Sequence, residues 1–81
     1  MDKTLLEPIV VQVIEKTACL KLGPELYGAD FSGLGIDSLA AIDIAQGLED
    51  QLDRVIDDRD VLRFRSVNDI LDYLTRQAAE G

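Results

Sequence analysis

The sequence has 81 residues, of which 47% are hydrophobic and 30% are charged, and its formal net charge is −8. A chain of this length forms one domain with a single modest core, which is too small to enclose a large active-site cleft. The negative charge repels phosphate backbones and anionic lipid headgroups, so the composition argues against nucleic-acid and membrane-surface binding. Partner proteins with basic docking patches are favoured, although solubility alone explains the charge equally well.

The amino terminus contains a short apolar run flanked by Glu7 and Glu15, with no small-residue cleavage site after it. This pattern is unlike that of a secretory signal or a membrane span. Cys19 is the only cysteine of the chain, so no internal disulfide can form. The expected location is therefore a reducing cytoplasm.

The first predicted element is a helix with one apolar face. Residues at three- and four-residue intervals form that face: Leu6, Ile9, Val10, Val13, Ile14 and Thr17. Pro8 is expected in the first turn, because a proline further along the helix removes a backbone hydrogen bond. The helix begins either with a capping box formed by Thr4 and Glu7 or at Pro8 itself.

A connection with several glycines follows this helix, at about residues 21–37. A loop of this length in a compact domain is usually functional. Six of its apolar residues are expected to hold it against the core: Leu22, Leu26, Tyr27, Phe31, Leu34 and Ile36.

The second predicted helix runs from about Leu39 to Leu52, with Ser38 as its N-cap. One face is apolar and is expected to pack inward: Ile44, Ala45, Leu48 and Leu52. The other face mixes apolar, polar and acidic residues: Leu39, Ile42, Asp43, Gln46, Glu49 and Asp50. Such a mixture is typical of a docking surface with apolar anchors in an acidic rim, and a further packing layer over this face is the alternative.

The last part of the chain predicts one short helix and one longer helix. Asp57 to Phe64 has room for one or two helical turns, and the final helix begins with Ser66 as N-cap and Asp69 three residues later. Its inward residues are Val67, Ile70, Leu71 and Leu74. The predicted fold is all-α, a small four-helix bundle with three longer helices, one short third helix and a long first loop, in a single domain of residues 1–81.

Ser38 lies where the glycine-containing loop meets the second helix, and several chemistries can be tested against this position. A hydrolytic serine needs a base, normally histidine, and the chain has none. The loop lacks the Gly-Lys-Ser/Thr ending of a phosphate-binding loop, and a calcium loop starting at Asp30 would place Leu34 and Ala41 at ligand positions.

A hydroxyl at the positive end of a helix suits a bound or covalently attached phosphate. Asp37 adds a carboxylate that can hold Mg²⁺ next to that phosphate. Ser38 is therefore interpreted as an attachment point, and simple helix capping is the alternative.

The motif GIDSL, Gly35 to Leu39, precedes an amphipathic acidic helix in an acidic chain and resembles the acyl carrier protein family. The likeness extends over residues 52–74, which have the spacing of the family's third and fourth helices. It implies that Ser38 carries a 4′-phosphopantetheine arm, transferred covalently from coenzyme A by a phosphopantetheinyl transferase, with Asp37 positioning Mg²⁺ during the transfer. The thiol of the arm then holds an acyl group as a thioester, so the chain is expected to be a non-catalytic carrier with no metal of its own.

The resemblance also implies a recognition face and a set of partners. The face consists of Leu39, Ile42, Asp43, Gln46, Glu49 and Asp50, with Phe64 as a contact from the short third helix. The implied partners are the transferase and the acyl-loading, condensing and transfer enzymes that have basic docking patches. The carrier itself is expected to be monomeric.

Several positions differ from the pattern of fatty-acid synthesis carriers. Ala40 stands where those carriers usually have an acidic residue, and Arg59, Arg63 and Arg65 bring positive charge to a region that is more acidic there. Gly47 interrupts the second helix and indicates either close helix packing or room for part of an acyl chain. These differences favour a specialised fatty-acid or polyketide pathway. The alternatives are an aminoacyl or peptidyl carrier, although the GGHSL-like motif of peptidyl carriers is absent, and a helical adaptor with no prosthetic group.

Overall fold

A computed structural model describes the backbone of residues 3–80 and the side chains of residues 3–77. This part of the chain forms four α-helices and no β-strand: α1 (Lys3–Ala18), α2 (Ser38–Leu52), α3 (Asp58–Val61) and α4 (Val67–Glu80). The predicted all-α fold with a short third helix is confirmed. The ends of the predicted domain, residues 1 and 81, lie outside the described residues. Between residues 3 and 80, no helix has the length and apolarity needed to span a bilayer.

The core lies between α1, α2 and α4, since α1 packs against both of the other long helices and α3 packs against α2. Its helical residues are Leu6, Val10, Val13, Ile14, Ala41, Ile44, Ala45, Leu48, Val61, Val67, Ile70, Leu71 and Leu74. Fully burying one such leucine, isoleucine or valine side chain stabilises the fold by about 1.5–3 kcal/mol. The predicted inward faces are therefore largely confirmed; Ile9 and Leu52 are half-buried, and Thr17 is exposed.

The start of α1 differs from both predicted starts. The helix already includes Lys3 and Thr4, so Thr4 is not an N-cap, and Pro8 lies in the second turn rather than the first. A proline there removes one helical hydrogen bond and crowds the preceding turn. The completely buried Leu6 and Val10 on either side of Pro8 show why the helix persists, because their tertiary packing outweighs the local preference.

The connection between α1 and α2 contains two short 3₁₀ helices, Pro24–Leu26 and Phe31–Leu34. Its predicted contacts with the core are confirmed, since every one of the six apolar residues is buried or packed against the core: Leu22, Leu26, Tyr27, Phe31, Leu34 and Ile36. Two backbone hydrogen bonds also attach it to the region where α4 begins. The Phe31 N–H donates to the Arg65 carbonyl at 2.6 Å, and the Asn68 N–H donates to the Tyr27 carbonyl at 3.1 Å. The connection is thereby held against the segment that leads into α4.

The predicted N-cap of α4 is confirmed. The Ser66 hydroxyl accepts a hydrogen bond from the Asp69 N–H at 3.3 Å. The Asp69 carboxylate accepts one from the Arg65 N–H at 3.0 Å, so it binds the residue before the cap and not the cap itself. The bond to Ser66 satisfies a backbone N–H that the first turn of a helix leaves without a partner.

Gly47 lies where α1 and α2 make close contact. A Cβ atom added at Gly47 would lie 2.9 Å from Cγ1 of Val13, which is closer than carbon atoms normally approach. Of the two explanations for this glycine, the structure therefore supports close helix packing over a space for an acyl chain.

Candidate functional site

The first turn of α2 begins with Asp37 as its N-cap, and the prediction that Ser38 is the N-cap was wrong. Asp37 has an extended backbone, with φ −90° and ψ −176°, and its Oδ1 accepts a hydrogen bond from the Ala40 N–H at 2.8 Å. The carboxylate thus occupies the capping position, and Ser38 becomes the first residue of the helix. The serine hydroxyl is consequently not needed to cap the helix.

Ser38 is exposed at the positive end of a 15-residue helix. Among residues 3–77, no partner forms a hydrogen bond with its hydroxyl. Backbone N–H groups at such a helix end and the helix dipole favour a phosphate group. The simple capping role that competed with attachment is therefore taken by Asp37, and the serine oxygen is accessible to a reagent.

A cleft of about 290 Å³ opens beside Ser38. The second 3₁₀ helix, the start of α2 and the end of α3 contribute its apolar walls, which consist of Phe31, Ile36, Ala41, Val61, Leu62 and Phe64. Polar side chains also line it: Asp30, Ser32, Asp37, Ser38 and Arg65. An elongated group attached to Ser38 would thus meet both apolar and charged surfaces at its base.

The Asp30 side of this cleft carries a stable negative charge. The Asp30 Oδ1 accepts hydrogen bonds from the Ser32 N–H at 2.9 Å and from the Ser32 hydroxyl at 2.8 Å. These bonds, with a smaller contribution from the positive charge of Arg65, hold the pKa of the Asp30 carboxyl below its ordinary value of 3.8. The carboxylate is consequently ionised at neutral pH.

A larger cleft of about 580 Å³ lies between the end of α3 and α4. It is lined by Asp60, Arg63, Phe64, Asp69, Tyr73, Arg76 and Gln77. Neither Ser38 nor any residue of α2 contributes to it. The smaller cleft is therefore the one that belongs to the candidate site, and Phe64 lies between the two.

The predicted recognition face of α2 is mostly accessible. Leu39 is 72% exposed, Asp43, Gln46 and Asp50 are exposed, and Ile42 is half-buried against the core. No further packing layer covers this face within the described residues. The described part of the chain thus leaves an apolar anchor, Leu39, on an acidic helix surface.

Glu49 differs from the other acidic residues of this face. It is half-buried, and its Oε2 accepts a hydrogen bond from the Ile56 N–H at 2.9 Å. This bond fixes the loop between α2 and α3. The carboxylate therefore has a structural role that the helical spacing did not indicate.

Phe64 and Arg59 are likewise held by neighbours within the fold. The Phe64 ring packs edge-on against Tyr73, with 5.3 Å between the ring centroids. Arg59 forms an ion pair with Asp57 at 3.3 Å.

Sequence reasoning missed Leu62, which is 64% exposed and lines the cleft beside Ser38. The signal was available, because Leu62 follows directly after the inward-facing Val61.

Comparisons with known proteins identify a family to which most of the chain is similar. Residues 10–74, which include Ser38, match the family model described as a phosphopantetheine attachment site. An acyl carrier protein from Syntrophobacter fumaroxidans is 41% identical over 46 residues, which cover 57% of each chain. An acyl carrier protein from Clostridium perfringens is 38% identical over 42 residues, which cover 52% of this chain and 55% of the relative.

The chain belongs to the acyl carrier protein family. The matched region spans little more than half the length of these relatives. No solved structure matches the chain. The family's domain is the site of covalent 4′-phosphopantetheine attachment. The described residues of the carrier fit this group, because the start of α2 provides an exposed hydroxyl at the positive end of a helix and an open cleft beside it.

Proposed function

We propose that this carrier holds an acyl group as a thioester on a 4′-phosphopantetheine arm attached to Ser38. The observation that supports the proposal best is the position of the Ser38 hydroxyl, which is exposed at the first residue of α2 and lies within the region of family similarity. The thiol of the bound arm supplies the thioester chemistry. The chain itself acts as a non-catalytic carrier that partner enzymes use as a substrate.

Asp37 and the start of α2 provide the local chemistry for attachment. One carboxylate oxygen of Asp37 is fixed by the Ala40 N–H, which keeps the side chain next to Ser38. The second oxygen is available to Mg²⁺ in the complex with the phosphopantetheinyl transferase. The positive end of the helix then stabilises the phosphate once it is joined to the serine.

The exposed face of α2 is the proposed recognition surface for partners. Leu39 provides an apolar anchor, and Asp43 and Asp50 provide negative charge around it. Ile42 and Gln46 complete the surface, whereas Glu49 contributes mainly by holding the loop after α2. The partners are the transferase and the acyl-loading, condensing and transfer enzymes with basic patches, which meet a monomeric carrier in the cytoplasm.

We place the carrier in a specialised fatty-acid or polyketide pathway. Support comes from Ala40 at a usually acidic position and from the exposed arginines after α3, Arg63 and Arg65. An aminoacyl or peptidyl carrier is the alternative with the same arm and the same serine. Identifying the acyl group that remains on the carrier isolated from its native cell, by mass spectrometry, distinguishes these two classes of cargo.

The intact mass of the purified chain tests attachment directly. After incubation with coenzyme A, Mg²⁺ and a broad-specificity transferase, the wild type gains one phosphopantetheine, and Ser38→Ala gains none. Ser32→Ala is the matched control, since Ser32 lines the same cleft and is also exposed. It is modified like the wild type.

Two results contradict the proposal. If the wild type stays unmodified while the transferase modifies a control carrier, the chain is an adaptor without a prosthetic group. If Ser38→Ala is still modified, the attachment site lies elsewhere in the chain.

A further inference from the structure

The turn that follows α3, Leu62–Arg65, has an unusual surface for such an acidic protein. Leu62 is 64% exposed, and the side chains of Arg63 and Arg65 are exposed on either side of Phe64. The turn lies between the two clefts, because Arg63 lines the larger cleft and Leu62 and Arg65 line the cleft beside Ser38. The exposed Leu62 and the cation of Arg65 thus line the same cleft as Ser38, whereas Arg63 lines the other cleft.

Backbone hydrogen bonds hold this turn in one conformation. The Arg63 N–H donates to the Asp60 carbonyl at 3.0 Å, and the Phe64 N–H donates to the Val61 carbonyl at 3.1 Å. At Arg65 both backbone groups are engaged, the N–H with the Asp69 carboxylate and the carbonyl with the Phe31 N–H. A turn whose backbone is already ordered loses little backbone freedom when a partner binds, so the main ordering cost falls on its side chains.

The two arginines of the turn form no ion pair among the described side chains, whereas Arg59 does. Arg59 is paired with Asp57, and this is the one ion pair closer than 4 Å among the residues with described side chains. Arg63 and Arg65 therefore present their charges outward. On α2, the exposed Asp43 and Asp50 present the opposite charge.

We propose that the Leu62–Arg65 turn is a second docking element, which binds a partner protein through an apolar pocket rimmed by carboxylates. The proposal rests on the proposed carrier function and specifies the partner's surface. A partner that covers Ser38 meets acidic residues on α2 and basic residues on the turn, so its own surface must carry basic groups facing α2 and acidic groups facing the turn. A uniformly basic surface is repelled at the turn, and this repulsion selects among partners.

Two synthetic amphipathic helical peptides test the charge preference of the turn. Both have a stripe of leucines, which is flanked by glutamates in one peptide and by lysines in the other. Amide chemical shifts of the ¹⁵N-labelled full chain are recorded during titration at moderate salt. The glutamate peptide shifts the amides of Leu62–Arg65 in spite of the net charge of −8, and the lysine peptide shifts those of α2.

Charge variants decide whether the arginines cause this binding. The double substitution Arg63→Glu and Arg65→Glu lowers the affinity for the glutamate peptide by about fivefold or more. Several exposed charge pairs of about 0–1 kcal/mol each are then lost together. Leu62→Ser weakens the binding of the glutamate peptide and reduces the chemical-shift change of the turn amides at saturation. Arg59→Gln, in the adjacent helix α3, is the matched control and changes the affinity less than about twofold, since that guanidinium already pairs with Asp57.

The proposal is overturned if the glutamate peptide shifts no amide of the turn, or if it binds the double variant as tightly as the wild type. Well-dispersed amide spectra of each variant show that it is folded. Arg63→Gln with Arg65→Gln repeats the test without introducing new negative charge. Loading of Ser38 is measured separately by intact mass, so a failure of the carrier function is distinguishable from a failure of this docking element.

Discussion

Gly47 and Val13 are in contact across the α1–α2 interface so closely that a Cβ atom at position 47 would lie 2.9 Å from Cγ1 of Val13. Valine in a helix has one strongly preferred rotamer, so this methyl group cannot easily move away. The two helices can therefore pack this closely only because Gly47 has no side chain.

Gly47→Ala tests this contact. Alanine is favoured over glycine in a helix by about 1 kcal/mol, whereas overpacking a core costs about 1–3 kcal/mol. We expect the free energy of unfolding to fall by up to about 2 kcal/mol. Urea denaturation followed by far-UV circular dichroism measures the change.

Repeating the substitution in a Val13→Ala variant tests whether the contact with Val13 causes the loss of stability. In Val13→Ala the obstructing methyl groups are absent, so adding Gly47→Ala there should stabilise the protein by about 1 kcal/mol through helix propensity. The same stabilisation in both backgrounds would show that no close contact exists between the two positions.

Two substitutions at Asp37 distinguish its role in helix capping from its proposed role in attachment. Asp37→Ala loses the acceptor for the Ala40 N–H and is expected to lower the free energy of unfolding by about 1 kcal/mol. Asp37→Asn retains an oxygen that can cap the helix but loses the negative charge for Mg²⁺. We expect it to unfold like the wild type and to be modified more slowly by the transferase at limiting Mg²⁺. Equal modification rates for Asp37→Asn and the wild type would remove Mg²⁺ positioning from the role of Asp37.

Glu49 is expected to differ from its neighbours on α2 when each is replaced by alanine. Glu49→Ala removes the acceptor for the Ile56 N–H and should destabilise the fold by about 1 kcal/mol. Asp43→Ala and Asp50→Ala change exposed positions, where substitutions usually stay within about 0.5 kcal/mol. Glu49→Gln keeps an acceptor oxygen and should recover most of the loss. The stability of the four variants is measured by thermal and urea unfolding. Equal stability of the three alanine variants would contradict a structural role for Glu49.

Acid sensitivity should depend on Asp30. Because its folded-state pKa lies below the ordinary 3.8, the carboxylate contributes stability that is present above that value and is lost as the pH falls through the folded-state pKa. Asp30→Asn keeps an oxygen for the Ser32 N–H but does not titrate. Its unfolding temperature should therefore fall less steeply than that of the wild type below about pH 5.

Ser32→Ala refines this prediction. It removes the hydroxyl donor and leaves the backbone donor, so its acid-induced loss of stability should lie between those of the wild type and Asp30→Asn. Unfolding temperatures of the three proteins are compared across the same acidic buffers. Parallel curves would mean that Asp30 gains nothing from its hydrogen bonds in the folded state.

The features that the sequence predicted correctly depend on regular spacing. The apolar positions of α2 and α4 follow from helical periodicity and were confirmed except at the half-buried Leu52. The Ser66 cap follows from local capping chemistry and was also confirmed. The cap of α2 was misassigned because Asp37 and Ser38 are adjacent and both residue types cap helices well. The extended backbone of Asp37 makes this residue the cap. The order of residue types does not reveal that backbone conformation.

The remaining errors involve contacts between residues far apart in the chain. The position of Pro8 within α1 depends on the burial of its neighbours against other helices. The role of Gly47 depends on Val13, and that of Glu49 on the backbone of Ile56. None of these pairings has a signal in local sequence, because each arises from how the helices pack.

The hydrogen bonds from Phe31 to the Arg65 carbonyl and from Asn68 to the Tyr27 carbonyl make one frame of the first connection and the segment before α4. Two walls of the cleft beside Ser38 belong to this frame, and the third wall is the start of α2. The connection cannot swing outward by itself without breaking both bonds. The backbone on these two sides of the cleft is therefore held at one spacing, and a group attached to Ser38 must fit the space that remains between this frame and the start of α2.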